Sequence, residues 1–341
     1  MKASLLLSFI FIIGICSWSC RDPIDLTLRA EQLSGISIQS QLIKGNPSFV
    51  NADIQRIFTF SAESRKVLPI TSVELEDDLG NTVSLARAGV GFWRLTIPNN
   101  HPSFKVDFDR QYRINAIVEE KNYVSDFESL HPVPKMESLS FEIFQQNVVN
   151  SIGELTPGDF ARFSVDTPVK LEEREEKSRL KWNVWQLIPP TNPLGIPTSG
   201  CVSFRSPDFS HLEILDGNNI AADNVQGLPI FEPFINFSFP NTYYLFVEQE
   251  SLSQNAFDYW SEVKINTVRE GTQFEPEIGN ISSNFKNVDD DSERVFGYFY
   301  ASEKDFMIIK ACAETETFEV SPRPESFCNF NPFEGFWKTC P

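Results

Sequence analysis

The sequence predicts a mainly β fold: an N-terminal immunoglobulin-like antiparallel β-sandwich, followed by a second β-rich domain with one prominent amphipathic helix. Apolar and polar residues alternate at period two in many short segments, which is typical of half-buried strands. Phenylalanine is abundant, with 31 residues, and 22 prolines separate the segments, as expected of strands bounded by loops. Only one stretch has a clear helical period.

Residues 20–130 are predicted to form the sandwich, with about seven or eight short strands. The clearest hairpin joins residues 73–75 to residues 83–85 through Gly80-Asn81, because this dipeptide supplies the positive φ angles of a two-residue turn. The side chains expected on its buried face are Val73, Leu75, Val83 and Leu85.

Residues 131–135 are predicted to be a proline-containing linker, stiffened by Pro132 and Pro134. The second domain then spans residues 136–341. Its helix is predicted over residues 252–270, with Ser251 and Gln254 as a capping box. We expect Trp260 to anchor this helix on the sheet.

Residues 1–19 have the pattern of a lipoprotein signal peptide. Lys2 precedes an apolar run over residues 5–15, which is too short to cross a bilayer as a helix. Ser19 then places a small residue directly before Cys20, which predicts cleavage there and lipid attachment to Cys20. A plain secretory signal or a short N-terminal anchor is the alternative.

The formal net charge of −18 bears on the choice of partner. A strongly acidic surface repels phosphate backbones and anionic headgroups, so we expect no nucleic acid partner and no electrostatic binding to membranes. Attachment to the membrane would then come from the lipid itself.

Four further cysteines are expected to form two disulfides, because an even number of thiols in an exported chain is typical of such bonds. Three connectivities are open, with a slight preference for pairing the first of the four with one of the other three. Four reduced, buried cysteines are the alternative, and the absence of CxxC spacing disfavours a zinc site. These residues are Cys201, Cys312, Cys328 and Cys340.

No catalytic constellation is visible, so no enzyme activity, cofactor or metal is predicted. The three histidines, His101, His131 and His211, lie in predicted loops without metal-ligand spacing. The acidic run Asp289-Asp290-Asp291 lacks the glycine and the distal glutamate of an EF-hand, so a solvated loop is favoured over a calcium site.

Long connections over residues 189–200 and 216–240 are the candidate binding loops. The second is rich in phenylalanine and proline, and aromatic side chains held by prolines lose little freedom on binding. The alternative is that these phenylalanines cover the core of their own domain. The residues of this candidate loop are Phe231, Phe234, Phe237 and Phe239.

Five segments of the sequence together carry a family resemblance. They are Cys20-Arg21-Asp22-Pro23-Ile24-Asp25-Leu26, the strand around Trp182, Trp260-Ser261-Glu262-Val263, Gly279-Asn280-Ile281 and Gly297-Tyr298-Phe299-Tyr300-Ala301-Ser302. In these segments the chain resembles Bacteroidota outer-membrane lipoproteins of unknown function whose genes commonly lie beside TonB-dependent receptors. The resemblance implies location in the outer membrane, facing outward, beside a TonB-dependent receptor, and it brings no catalytic residues.

The resulting expectation is a non-enzymatic accessory lipoprotein that captures a ligand or presents it to a transporter. Two alternatives come from other functional classes. One is a lipid-anchored hydrolase of exported glycan or peptide, and the other is a structural component of the envelope.

Replacing Cys20 with alanine should leave an unlipidated precursor that is lost from the outer-membrane fraction, because the sulfur that carries the lipid is gone. Metabolic labelling with a fatty acid, followed by membrane fractionation, measures this. Label on the Cys20→Ala chain equal to that on the wild type would show that the lipid is attached elsewhere.

Overall fold

The computed structural model describes residues 35–57, 68–150, 152–188, 203–205, 212–235, 243–267, 281–311 and 316–319. Within these ranges the protein is mainly β, as the sequence predicts. The α-helix of the described ranges is α1 (Gln254–Thr267). The strands are β1 (Ile36–Lys44), β2 (Ser48–Arg56), β3 (Ile70–Asp77), β4 (Thr82–Ser84), β5 (Ala86–Arg87), β6 (Phe92–Ile97), β7 (Gln111–Val118), β8 (Lys121–Ser125), β9 (Glu128–Ser129), β10 (Ser138–Val149), β11 (Leu155–Pro168), β12 (Arg179–Ile188), β13 (Ser203–Arg205), β14 (Glu213–Asp216), β15 (Asn224–Phe231), β16 (Tyr243–Leu252), β17 (Phe285–Asn287), β18 (Val295–Phe296), β19 (Phe299–Ala311) and β20 (Glu316–Glu319).

The first core lies between two sheets, in keeping with the predicted sandwich. One sheet has the order β17-β8-β7-β3-β4, and it faces β1, β2 and β6 of an 11-stranded sheet. Alternate residues of β7 are buried, as the period-two pattern requires. Its inward side chains are Tyr112, Ile114, Ala116 and Val118.

The β3–β4 hairpin is confirmed, with Leu75 opposite Val83, but its predicted two-residue turn is wrong. Pairing ends at Glu76–Thr82, so the loop is longer. The Asp77 carboxylate accepts hydrogen bonds from the amides of Leu79 and Asn81 and organises this loop, which the Gly-Asn pattern did not predict.

The chain returns to the first core near its C-terminal end. β19 pairs in parallel with β1, with Ser40 opposite Phe299 and Leu42 opposite Ala301, and β17 pairs with β8. The step from β18 into β19 runs through Gly297, whose φ is +96°. A Cβ there would lie 2.1 Å from the carbonyl oxygen of Ile38, so only glycine fits between the strands.

A second core lies between β12, β16 and β19 on one side and the sheet β10-β11-β15 on the other. Trp182 is fully buried in it, and its Nε1 donates to Gln249 at 2.9 Å. Trp185, on the opposite face of β12, is half-buried and packs against Phe246. The division into domains at residues 131–135 stays a prediction, and β19 contributes side chains to both cores.

Helix α1 begins at Gln254, later than predicted, because Leu252 still belongs to β16. The predicted cap at Ser251 is wrong: Ser253 Oγ accepts the hydrogen bond from the amide of Ala256, at 3.0 Å, and Ser251 instead donates to the carbonyl of His131. Residues 268–270 of the predicted helix lie outside the described residues. In the described ranges, no helix has the length and apolar character that crossing a membrane requires.

Replacing Gly297 with alanine should lower the free energy of unfolding by more than roughly 3 kcal/mol, because a backbone clash adds to the cost of positive φ. Urea denaturation measures the change. Gly80→Ala is the matched control, since Gly80 also has positive φ (+82°) but open space around its Cβ position. An equal loss of unfolding free energy in the two variants would show that Gly297 is not in tight contact with Ile38.

Candidate interaction site on the β10–β11 hairpin

The structure places two of the four candidate loop phenylalanines in different environments. Phe231, at the end of β15, is buried and stacks on Phe163 with ring centroids 6.2 Å apart, so it belongs to the second core. Phe234 is 45% exposed. Phe237 and Phe239 lie outside the described residues.

Phe234 belongs to a surface cluster with Phe144 of β10 and Phe160 of β11, which we call the aromatic patch. The rings of Phe144 and Phe160 stack at 5.6 Å, and Phe234 meets Phe160 edge-on at 5.3 Å. Both arrangements are favourable for aromatic pairs. Sequence reasoning identified Phe234 but missed the other two, because their pairing depends on the register of a hairpin.

Backbone hydrogen bonds and one glycine hold Phe234 on the hairpin. The amide of Ala161 donates to the carbonyl of Pro233 at 3.1 Å, and the amide of Ile235 donates to Asp159 at 2.8 Å. A Cβ on Gly158 would lie 2.7 Å from the Phe234 ring, so glycine is needed for the ring to rest there. The patch is therefore positioned by β11 rather than by a free loop.

Arg162 borders the patch. Its guanidinium lies 4.4 Å from the centroid of the Phe144 ring and forms ion pairs with Glu142 and Glu232. The hydrogen bond to Glu232 raises the pKa of Arg162, with a further contribution from Glu142. The rim of the patch is thus polar and the centre aromatic, the usual arrangement of a protein interface.

The far end of the hairpin exposes further apolar side chains. Ile152 in the turn is 75% exposed and Leu155 is 70% exposed, and Val149 lies directly opposite Leu155. Ile143 is also exposed, closer to the body of the protein. Exposed apolar groups clustered on one element mark interaction surfaces more often than scattered ones do.

Four buried charged side chains form a cluster on the face of the 11-stranded sheet that α1 covers. Lys181 Nζ is 3.1 Å from Glu250 Oε2, and Lys304 Nζ is 2.7 Å from Glu250 Oε1 and 2.8 Å from Glu248 Oε1. Their side chains are no more than 6% exposed. Sequence reasoning missed this charge cluster, because charged residues at inward positions of a strand resemble an ordinary exposed face.

The charge cluster is closed and satisfied by its neighbours. Trp260 of α1 covers Lys181, with the ring centroid 3.9 Å from Nζ, and Tyr300 donates to Glu250 at 3.1 Å. Burial alone would raise the pKa of Glu250, but Lys181 and Lys304 hold it well below its usual range. Burial lowers the pKa of Lys181. We interpret the charge cluster as part of the scaffold, with Trp260 as the predicted anchor.

The other residues weighed in the sequence do not converge on a site. His101 Nδ1 accepts from the amide of Phe104, and burial lowers the pKa of His131. Asp289 accepts from the amide of Asn122, so the acidic run is tied to β8. No group of three possible metal ligands occurs within the described ranges. His211 and the five cysteines Cys20, Cys201, Cys312, Cys328 and Cys340 lie outside them.

The sequence matches the model of a protein family, a domain of unknown function (DUF4249), over residues 21–305. The chain therefore belongs to this family. No curated protein matches the sequence.

Glu250→Gln should lower the free energy of unfolding at neutral pH by roughly 3–5 kcal/mol, because it leaves two buried ammonium groups with one carboxylate. Urea denaturation measures the loss. Glu142→Gln is the matched control: its carboxylate also pairs with a basic group, but it is exposed, so we expect a change below about 1 kcal/mol.

The stability lost in Glu250→Gln should also depend on pH. The pKa of Glu250 is lowered by folding, so its ionised form stabilises the protein above the unfolded value of about 4.3. This stabilisation is lost as the pH falls below that value. The difference between wild type and Glu250→Gln should therefore shrink in acid, and a difference independent of pH would contradict the assignment.

Proposed function

We propose that this DUF4249 protein is a non-enzymatic lipoprotein of the outer membrane, facing the cell surface, that serves a TonB-dependent transport system as an accessory or ligand-presenting partner. In this proposal its contacts are made by the aromatic patch and the tip of the β10–β11 hairpin. The observation that carries the proposal is that this hairpin exposes four aliphatic side chains and supports the aromatic patch, in which Phe234 is exposed and Phe144 and Phe160 are half-buried.

The anchoring part of the proposal rests on the N-terminal sequence. The apolar run and Ser19-Cys20 supply a signal and a lipid site, and the family match starts at the residue after Cys20. The resemblance to Bacteroidota lipoproteins supports the outer membrane and the company of a TonB-dependent receptor. An acidic chain needs such a lipid to stay at an anionic surface.

The hairpin suits contact with another protein for physical reasons. The odd-numbered residues of its distal half, from 145 to 149 and from 155 to 159, are exposed, so a partner can approach this face without moving the scaffold. Phe144 and Phe160 are already stacked, so little side-chain entropy remains to be lost when a partner covers them. Aromatic side chains at the centre of a polar rim are the usual sites of strong binding energy.

The non-enzymatic part rests on where the reactive groups lie. The strongly perturbed groups of the charge cluster are paired with one another and covered by Trp260. Perturbed groups of this kind mark an active site when they face a cleft, but here they face the underside of a helix. The exposed hairpin instead presents side chains suited to binding.

Phe234→Ala and Leu155→Asp should each reduce copurification of a TonB-dependent receptor from native outer membranes by about tenfold, as expected of central interface residues. Quantitative mass spectrometry of a tagged pulldown measures this. Leu79→Asp is the matched control, because Leu79 is 73% exposed in the β3–β4 loop, away from the patch. Unchanged receptor yield in both the Phe234→Ala and the Leu155→Asp variants would contradict the proposed surface.

A further inference from the structure

β10 has an open edge of unusual length among the described strands. It is the outer strand of the sheet β10-β11-β15, is 12 residues long, and pairs with β11 through its whole length without a bulge. Its single charged residue is Glu142, and it contains no proline or lysine. Within the described residues, this edge therefore has Glu142 as its one protective charge and lacks the prolines, lysines and bulges that normally keep a sheet edge from pairing with another strand.

The other sheet ends in the described chain are protected. The terminal strands β4, β5, β13 and β17 are two or three residues long. The opposite edge of the same small sheet, β15, contains Pro229 and an irregular register. β10 therefore stands out against a fold that otherwise keeps its edges short or broken.

The register with β11 identifies the free backbone groups of β10. Asn150 donates its amide to Glu154, so even-numbered residues of the hairpin exchange hydrogen bonds across it. The amide and carbonyl groups of the odd-numbered residues then point away from β11. In the middle of the strand these residues are Phe141, Ile143, Gln145 and Asn147.

We propose that the β10 edge pairs antiparallel with β10 of a second copy of this chain, about a two-fold axis at Phe144. In this register Ile143 lies opposite Gln145 of the second copy, and both offer the outward backbone groups that such a pair needs. The two Phe144 side chains then face each other, which joins the two aromatic patches into one surface. This inference is independent of the proposed transport partner.

The charge pattern of β10 is compatible with pairing to a second copy in this register. Glu142, the one charged residue of β10, lies opposite the neutral Gln146 of the second copy, so no like charges meet. The net charge of −18 opposes association at long range, and salt screens such repulsion. Dimerisation should therefore strengthen between about 0.01 M and about 1 M ionic strength, as the Debye length falls from about 30 Å to about 3 Å.

Cysteine cross-linking in membranes from cells that express the full chain tests the register. Phe144→Cys should give a covalent dimer on mild oxidation, because residue 144 faces its own copy. Val148→Cys is the matched control: it lies on the same face of β10, but in this register it opposes Ser140 of the second copy. Absence of the Phe144→Cys dimer, an equal dimer from Val148→Cys, or a cross-link to a different protein instead would each overturn the proposal.

Substitutions at the edge give an independent test. Gln146→Glu should weaken the dimer roughly threefold to tenfold in sedimentation experiments, and Gln146→Lys should strengthen it, because each faces Glu142. Gln145→Pro removes an outward amide and leaves the backbone hydrogen bonds to β11 in place, and it also removes the side-chain hydrogen bond from Gln145 to Asp159. It should abolish dimerisation in a chain that remains folded by circular dichroism. A dimer that survives Gln145→Pro, or a chain that stays monomeric at high salt, would show that β10 is not the interface.

Discussion

The structure depends on one strand, β19, which is shared by both hydrophobic cores. Its first residues, Phe299 and Ala301, are buried in the first core next to β1, and its last residues, Met307 and Ile309, are buried in the second core next to β16. Because β1 and β19 lie far apart in sequence, their parallel pairing closes a long loop, which is entropically costly. Gly297 makes this pairing sterically possible, since no side chain fits between it and Ile38.

The middle of β19 carries polar residues that hold the connection between the two cores. The Glu303 carboxylate accepts a hydrogen bond from the amide of Val133 at 2.9 Å, and the Asp305 carboxylate accepts one from the amide of Met136 at 2.8 Å. Lys304, between them, belongs to the charge cluster. The predicted proline linker and the residue after it are therefore hydrogen-bonded to β19. The buried charges join β19 to β16. Buried charges stabilise such an arrangement only when every group is paired, and here they are paired. The β10–β11 hairpin belongs to the separate three-stranded sheet that packs against this one through the second core.

Much of the fold was predictable because it follows from local patterns. Period-two alternation located β3, β4 and β7, and one helical period located α1 to within a few residues. The parallel return of β19 was not predictable, since nothing in residues 299–311 says which distant strand they will join. One of the three residues of the aromatic patch was predicted: Phe234 stands out in a proline-rich connection, whereas Phe144 and Phe160 join it only through the hairpin register. The charge cluster was invisible for the same reason, because Lys181 and Glu250 meet only when β12 pairs with β16.

Native-state hydrogen–deuterium exchange tests the role of β19 most directly. If β19 is the strand on which both cores depend, amides in its two halves, around Ala301 and around Ile309, should exchange at one slow rate that matches global unfolding. The amides of Leu42 in β1 and Val247 in β16 should share that rate, because each strand pairs with β19. Fast exchange at Ala301 with protection retained at Leu42 would contradict the account, since the first core would then hold without β19.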